Sequence, residues 1–321
     1  MGACHDMRKL MIRVFSLLII VFLCFVLLGL FDGFVIGSQY ENGYQASIID
    51  KVERLNSIDE PKIILVGNSN LAFGIFSPQI EEALGMSVVN LGLHGGLGNA
   101  YHEQIAKQNI HAGDIVVVCH STFSDDDKLG TPELAWITYD YHRELWPIFR
   151  QKDYKSLLLS YPSYLKNSYF LWFTHRGNRD TGGCYSRSAF NQWGDVINKP
   201  ADGQHQDEFF LENKVPFPEI NETCINRLNK LNSYCEERGA SMVVAGYPIA
   251  YGKYAEFTEK DFEEFQADLE SRLDCDVISD YTDYFYPYRY FYDTVFHLNE
   301  EGTEERTLQL IQDLKNWLAR R

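Results

Sequence analysis

The sequence predicts an α/β fold: a doubly wound, mostly parallel sheet of five strands, preceded by one transmembrane helix. Two patterns lead to this prediction. Short apolar segments of strand length alternate with longer segments of helical length, which is typical of parallel sheets with right-handed crossovers. In addition, the strand candidate Ile115–Cys119 is apolar throughout, as expected for a parallel strand that is buried on both faces.

The transmembrane helix is predicted from an uncharged segment near the N-terminus. Val14–Phe31 contains no charged residue and would be about 27 Å long as a helix, close to the thickness of a hydrocarbon core. Arg8, Lys9 and Arg13 precede it, which places the N-terminus in the cytoplasm and the rest of the chain outside. A cleaved signal peptide is the alternative, but the apolar run is longer than a signal peptide needs and no small-residue cleavage site follows it.

The chain divides into segments of different composition. A polar linker separates the anchor from the α/β body, and a stretch rich in aromatic residues, Gly and Asn interrupts the body's alternation. The predicted organisation is a cytoplasmic N-terminus (1–13), a transmembrane anchor (14–36), a stalk (37–61) and an extracytoplasmic domain (62–321) with an insertion at about 164–216. The stalk contains a short helix candidate around 48–55, and the insertion is interpreted as a lid or wall.

Each element of the body follows from a local signal. The predicted strands are Ile63–Val66, Ser87–Leu91, Ile115–Cys119, Ser241–Ala245 and Asp276–Ile278. One predicted helix begins at Ser77. The other predicted helices cover 98–109, 132–149, 154–161, 218–238, 259–272 and 300–320. Ser77 is suited to the N-cap of its helix with Pro78 at the first helical position, and Gly239 is suited to a left-handed C-cap.

The net charge of the chain limits its partners. The chain holds 29 Lys and Arg against 45 Asp and Glu, which gives a net charge of −16. A protein with this negative charge repels polyphosphates and anionic lipids, and we therefore expect no nucleic-acid partner. Neutral carbohydrates or small acyl donors are the favoured partners. The sequence shows no Cys and His spacing typical of a metal site, and no metal or cofactor is predicted.

A serine and a histidine far apart in the sequence are predicted to form an active site. Lys62–Ala72 is interpreted as a strand that stops at a glycine and delivers Ser69 into a tight turn at the carboxyl edge of the sheet. Near the C-terminus, Asp293 and His297 lie four residues apart on one short loop. In this arrangement Ser69 would be the nucleophile, His297 the general base and Asp293 the group that orients the base.

Each of these assignments has an alternative. Ser69 taken alone is equally suited to capping the helix that follows the strand. His297 lies in an aromatic stretch, where a histidine could be a packing residue. Asp280 or Asp283 could orient the histidine in place of Asp293.

Three sequence blocks resemble those of a known family. They are Gly67-Asn-Ser69-Asn after the first strand, Asn90-Leu-Gly-Leu-His-Gly-Gly-Leu-Gly98 after the second, and Asp293-Thr-Val-Phe-His297-Leu-Asn-Glu-Glu-Gly302 near the end. In these blocks the chain is similar to SGNH (GDSL-type) hydrolases, and more narrowly to membrane-anchored members that modify cell-envelope polysaccharides. The resemblance implies a flavodoxin-like, SGNH hydrolase-like fold and an acyl-serine mechanism.

The oxyanion hole of such an enzyme needs preorganised hydrogen-bond donors. The backbone N–H groups of Ser69 and of Gly95 or Gly96 are suited to this role, because glycine lets the main chain approach a ligand closely. The family's usual asparagine after the third strand is missing, and His120 stands there instead. Either His120 is the side-chain donor or the hole has backbone donors only. The family's common Asp-x-x-His is also lengthened by one residue.

A candidate for carbohydrate binding lies in the insertion. Trp193 offers a face that could stack on a sugar ring, while Asn191 and Asp195 offer polar groups for its hydroxyls. An ordinary loop anchored by a tryptophan is the alternative interpretation of this segment.

Together these features predict a membrane-anchored serine esterase or O-acyltransferase that acts on an extracytoplasmic carbohydrate or glycan. Hydrolysis and transfer share the acyl-serine intermediate and differ only in whether water or a sugar hydroxyl attacks it, so the same residues serve both. A multipass membrane acyltransferase is a further expected partner, as the source of acyl groups. The alternative is a non-catalytic, membrane-tethered glycan-binding or assembly subunit with a hydrolase-like fold.

Overall fold

The computed structural model describes residues 2–125, 127–180, 182–197, 199, 217–250 and 258–321. Its strands are β1 (Lys62–Gly67), β2 (Ser87–Asn90), β3 (Ile115–Cys119), β4 (Ser241–Val244), β5 (Ile249–Ala250), β6 (Asp276–Val277) and β7 (Phe285–Tyr286). Its α-helices are α1 (Gly2–Phe31), α2 (Ser47–Ser57), α3 (Ser69–Ala72), α4 (Ser77–Leu84), α5 (Asn99–Ala106), α6 (Pro132–Tyr139), α7 (Tyr154–Phe173), α8 (Glu222–Glu236), α9 (Glu259–Arg272) and α10 (Glu300–Leu318).

Five of the strands form one parallel sheet in the order β2-β1-β3-β4-β6, and β5 pairs with β7 in a separate two-stranded sheet. The predicted α/β class and the five-stranded parallel sheet are therefore confirmed. The direction of winding reverses between β1 and β3, which are neighbours in the sheet. In sheets of this kind a crevice opens beyond the carboxyl ends of the strands at the point of reversal.

Helices cover both faces of the sheet because successive strand residues point to opposite sides. Ile64 and Val66 of β1 belong to an apolar cluster that includes side chains of α2, α5, α8 and α9. Ile63 and Leu65 belong to a second cluster, on the other face, with side chains of α4 and α10. All six residues of β1 are buried, as the apolar run in the sequence predicts.

Two helices end at residues other than those predicted. The predicted helix 132–149 stops at Tyr139, because Asp140 and Tyr141 both adopt positive φ angles, 32° and 69°. The predicted helix 154–161 continues to Phe173, so the first ten residues of the predicted insertion are helical. Residues 200–216 of that insertion lie outside the described part of the chain.

Two capping predictions are also tested. The C-cap of α8 is Glu237, with a φ angle of −57°, and Gly239, two residues later, adopts the predicted left-handed conformation with a φ angle of 75°. Ser77 is the first helical residue of α4 and not its N-cap, which is Phe76. The Ser77 hydroxyl donates instead to Asp195, at 2.6 Å.

The segment 37–61, predicted to be a stalk, packs against the body. Ile48, Val52 and Leu55 of α2 are buried in the same cluster as β1, since their spacing places them on one face of the helix. The polar composition of the segment hid this apolar stripe. At its start, the Ser38 hydroxyl and the Tyr40 N–H both donate to Asp140, the latter at 3.0 Å. The chain is thus fastened to the body directly after the N-terminal helix.

Helix α1 and the turn that follows it form one apolar segment, Met7–Ile36, that is long and apolar enough to cross a membrane. None of its most apolar stretch is buried within the protein. Its C-terminal turns contact α7: the Phe25 and Tyr161 rings pack edge to face, and the Tyr169 hydroxyl donates to the Leu28 carbonyl at 2.9 Å.

Candidate active site

The turn that carries Ser69 follows β1 at the crevice. Gly67 ends the strand, and a Cβ atom at this position would lie 2.8 Å from the Cys119 carbonyl oxygen of β3, so no larger residue fits. Asn68 caps α3, with its Oδ1 accepting the Asn70 N–H at 3.0 Å. Because Asn68 fills the capping position, the Ser69 hydroxyl is left available for another partner. The capping alternative for Ser69 is therefore wrong.

That partner is His297. Its Nε2 lies 2.8 Å from Ser69 Oγ, and its Nδ1 lies 2.7 Å from Asp293 Oδ1. The structure thus brings together the three residues predicted as nucleophile, base and orienting carboxylate. The two other carboxylates considered for the third role face elsewhere: Asp280 accepts hydrogen bonds from Thr282, and Asp283 faces Gln309.

The Asp-x-x-x-His spacing is accommodated by a hydroxyl-capped turn and not by a helical turn. Thr294 Oγ1 accepts the backbone N–H groups of Phe296 and His297, at 3.2 and 3.0 Å. This local bonding takes up the extra residue while Asp293 and His297 keep facing each other.

Two aromatic side chains that the sequence did not indicate hold the histidine and its carboxylate. The Phe73 ring stacks on His297, with the ring centroids 4.2 Å apart and the planes 8° from parallel. The Tyr185 hydroxyl donates to Asp293 Oδ2 and lies 3.3 Å from His297 Nδ1. Burial, and then the adjacent Asp293, raise the pKa of Tyr185, so the phenol remains a donor at neutral pH.

Arg306 of α10 supports the serine turn from behind. It is fully buried and donates to the Asn70 carbonyl oxygen at 2.5 Å and to Asn70 Oδ1 at 2.8 Å. The Asn70 amide in turn donates to the Cys119 carbonyl at 3.1 Å. The helix that follows His297 therefore fixes the residue that follows Ser69.

The predicted oxyanion donors differ in availability. Gly96 donates its N–H to Nδ1 of the exposed His94, at 2.9 Å, so this group is already engaged. Partial shielding of its ring from water, and then the nearby His297, lower the pKa of His94, which favours the neutral ring that accepts this bond. Among the described residues, the Gly95 N–H has no acceptor.

Asn68 adds a side-chain donor that the sequence did not single out. A Cβ atom at Gly95 would lie 3.6 Å from Asn68 Nδ2, so the amide sits beside the glycine turn and directly before Ser69. Asn68 Nδ2 donates one hydrogen to Ser121 Oγ at 2.7 Å, which leaves a second hydrogen on the same nitrogen. In the sequence, the position of Asn68 directly before Ser69 is the only indication that it could donate to an oxyanion.

The prediction that His120 is an oxyanion donor is wrong in this structure. His120 is fully buried, and its Nε2 lies 3.0 Å from Glu103 Oε1. The two Glu103 oxygens also accept Arg227 Nε, at 2.9 and 2.8 Å. His120 thus belongs to a buried charged network behind β3 and does not face the crevice.

We expect His120→Ala to lower the free energy of unfolding by about 1–3 kcal/mol, because a buried acceptor on Glu103 loses a partner. The turnover of the folded fraction should stay unchanged. Denaturant unfolding and esterase rates check this, with the exposed His111→Ala as the matched control. A rate loss of about 10²–10³ without a loss of stability would restore His120 to the oxyanion hole.

The predicted carbohydrate contacts also have structural roles. Asp195 is fully buried, where it accepts Ser77 N–H and Asn90 Nδ2 at 2.8 and 2.9 Å. Asn191 Oδ1 accepts three successive backbone N–H groups of its own loop, those of residues 193–195. Trp193 Nε1 donates to Glu81 at 2.9 Å. These residues fasten the loop to the edge of the sheet at β2, and within the described ranges no hydrogen bond joins them to Ser69.

No known family model, curated protein or solved structure matches this chain. Within the described ranges, no group of three or more His, Cys, Asp and Glu side chains is placed to hold a metal ion.

Proposed function

We propose that the protein is a membrane-anchored serine esterase or O-acyltransferase with an acyl-serine intermediate. The observation that carries the proposal is the continuous contact from Ser69 Oγ to His297 Nε2, at 2.8 Å, and from His297 Nδ1 to Asp293, at 2.7 Å. A serine hydroxyl is a weak nucleophile until an adjacent base removes its proton, and this contact supplies the base.

The geometry supports a two-step mechanism. Ser69 Oγ attacks the carbonyl carbon of an ester while its proton passes to His297 Nε2, and Asp293 stabilises the resulting imidazolium. The backbone N–H groups of Ser69 and Gly95 and the amide of Asn68 are the candidate donors to the oxyanion. When the C–O bond breaks, the leaving alcohol takes the proton from His297 and the acyl group remains on Ser69.

The second step reverses these roles. His297 Nε2 removes a proton from water or from a sugar hydroxyl, and the resulting oxygen attacks the acyl-serine. Collapse of this intermediate returns the proton to Ser69 and releases either the free acid or a new ester. The residues of the crevice serve both outcomes, so the proposal covers hydrolysis and transfer.

The fold supports an SGNH hydrolase-like assignment. Numbered within the five-stranded sheet alone, the strand order is 2-1-3-4-5, the order of flavodoxin-like doubly wound folds. Ser69 follows the first strand of this sheet and Gly95 follows the second, so both lie at the carboxyl edge. The resemblance of the three sequence blocks points to the same family.

We further propose that α1 is a single-pass anchor, with the N-terminus in the cytoplasm and the body on the other side. The length and apolar character of Met7–Ile36 and the basic residues before the apolar run support this topology. This topology places the crevice outside the cytoplasm, and the acidic charge of the chain disfavours anionic partners. Together they favour a neutral carbohydrate or glycan as acyl acceptor. A multipass membrane acyltransferase is the proposed source of acyl groups.

Labelling with a fluorophosphonate tests the proposal, because such probes react with activated serines and not with capping ones. We expect the full-length protein in detergent to be labelled at Ser69, as located by mass spectrometry, and His297→Ala to abolish the label. The buried Ser77 serves as the internal control. A folded protein that takes up no label would favour the non-catalytic glycan-binding or assembly subunit instead.

A further inference from the structure

Helix α7 exposes a row of large apolar side chains. Leu158, Leu159, Phe170 and Phe173 are 68%, 71%, 57% and 79% exposed. Leu157, Tyr164 and Leu165, on the opposite side of the helix, are buried in the body. A soluble protein rarely leaves so many large apolar side chains of one helix in contact with water, and such a surface marks an interaction site.

The exposed face of α7 is continuous with the surface of α1. The Phe31 ring packs against the rings of Tyr169 and Trp172, with centroids 6.2 and 6.1 Å apart. Deeper along α1, Tyr161 fits against Gly29, where a Cβ atom would lie 3.3 Å from its hydroxyl oxygen, and packs edge to face on Phe25. The two helices therefore present one apolar surface.

These contacts place α7 at a defined depth. Phe25 and Phe31 lie six residues apart within the uncharged run Val14–Phe31, which corresponds to about 9 Å along the axis of α1. If α1 spans a bilayer, Tyr161 lies within its extracytoplasmic half and Tyr169 lies near the boundary with the headgroups. Tyrosine and tryptophan are the residues that proteins place at this boundary.

We infer that α7 lies in the extracytoplasmic leaflet beside α1, with lipid acyl chains against Leu158, Leu159, Phe170 and Phe173. The inference rests on the proposed membrane topology. The exposed face also carries Lys166, between Tyr161 and Tyr169, whose aliphatic part can lie along the apolar surface while its ammonium group reaches the headgroups. Because the chain is strongly acidic, the contact depends on apolar burial and not on anionic lipid.

This placement fixes the body relative to the membrane at two elements instead of one. Asp140, at the end of α6, accepts the Tyr164 hydroxyl of α7 at 2.9 Å and the Tyr40 N–H that follows α1 at 3.0 Å. The junction therefore ties α1, α6 and α7 together. A body held in this way cannot swing on a flexible tether, and its crevice stays at one height above the bilayer.

Photo-crosslinking in vesicles tests the inference. The full chain, reconstituted in phosphatidylcholine vesicles, would carry p-benzoylphenylalanine in place of Leu159 or Phe173, with lipid adducts identified by mass spectrometry. Ile19 of α1 is the reference for a membrane-embedded position. Leu308 of α10 is the matched control, since it is an exposed leucine, 54% accessible, on a helix that covers the other face of the sheet.

We expect lipid adducts at 159 and 173 with yields similar to that at 19, and none at 308. Adducts at 19 but not at 159 or 173 would overturn the inference while leaving the anchor intact. The absence of adducts at 19 would instead overturn the proposed membrane topology. Crosslinks from 159 or 173 to a second copy of the chain would show that a protein covers this face, which also contradicts the inference. Circular dichroism confirms that each substituted protein is folded.

Discussion

Ser69→Ala is expected to reduce kcat for the hydrolysis of an aryl acetate by a factor on the order of 10⁴–10⁶, because the variant has no hydroxyl to form the acyl-enzyme. His297→Ala should cause a similar loss, because the serine hydroxyl then has no base within reach. The measurement is kcat for the full-length protein in detergent. The full chain is required because the N-terminal helix and the segment after it pack against the body.

The double variant separates a concerted pair from two independent effects. Residues that act as one unit give non-additive losses, so Ser69→Ala combined with His297→Ala should be scarcely slower than either single variant. Ser57→Ala removes an exposed hydroxyl at the end of α2 and should leave the rate unchanged. Substantial activity in Ser69→Ala would show that another group is the nucleophile.

Asp293→Asn is expected to reduce kcat by about 10³–10⁴ with little change in stability. An asparagine amide that donates to His297 Nδ1 leaves the proton on Nε2, and a protonated Nε2 cannot accept the serine proton. The packing of the loop should remain, because Thr294 Oγ1 holds two of its backbone N–H groups. Kinetics and thermal unfolding of the same preparation separate the two effects.

Tyr185→Phe is a milder variant for comparison with Asp293→Asn. It removes one hydrogen bond to the Asp293 carboxylate but keeps the ring, so we expect a loss of roughly ten- to a hundredfold, as for a bond to a charged group. If Asp293→Asn were no slower than Tyr185→Phe, Asp293 would not be the group that orients His297. In that case the contact at 2.7 Å would be structural only.

The sheet could be predicted from the sequence because its strands are apolar runs at regular spacing. β1 and β3 are buried along their whole length, and this pattern appears directly in the residues. The packing of residues 37–61 could not be predicted, since a polar composition masks the three-residue stripe of α2. The long α7 was also missed, because Pro162 and the polar residues around it resemble a helix end.

The residues of the candidate site that could be predicted are those whose position in the sequence indicates a chemical role. Ser69 and His297 stand out because one follows a strand and the other lies in a motif with an acidic residue. Tyr185 carries no such signal, as it reaches Asp293 from 108 residues away along the chain. His120 was misassigned because its position in the strand order suggests the crevice, whereas its side chain bonds to Glu103 in the interior.

Under the proposed function, the hydrogen bonds from Arg306 to Asn70 make activity depend on completion of the C-terminal helix. Ser69 and His297 are separated by 228 residues, and Arg306 lies further still towards the C-terminus. During synthesis the serine turn emerges early, while the proposed base His297 and the supporting Arg306 emerge near the end of the chain. A chain that is unfinished, or cut anywhere before Asp293, holds a serine without a proton acceptor and an Asn70 without its arginine. Under the proposed function, we therefore expect unfinished or truncated molecules to be inert, and the Ser69 hydroxyl to become reactive only after the C-terminal helix has docked.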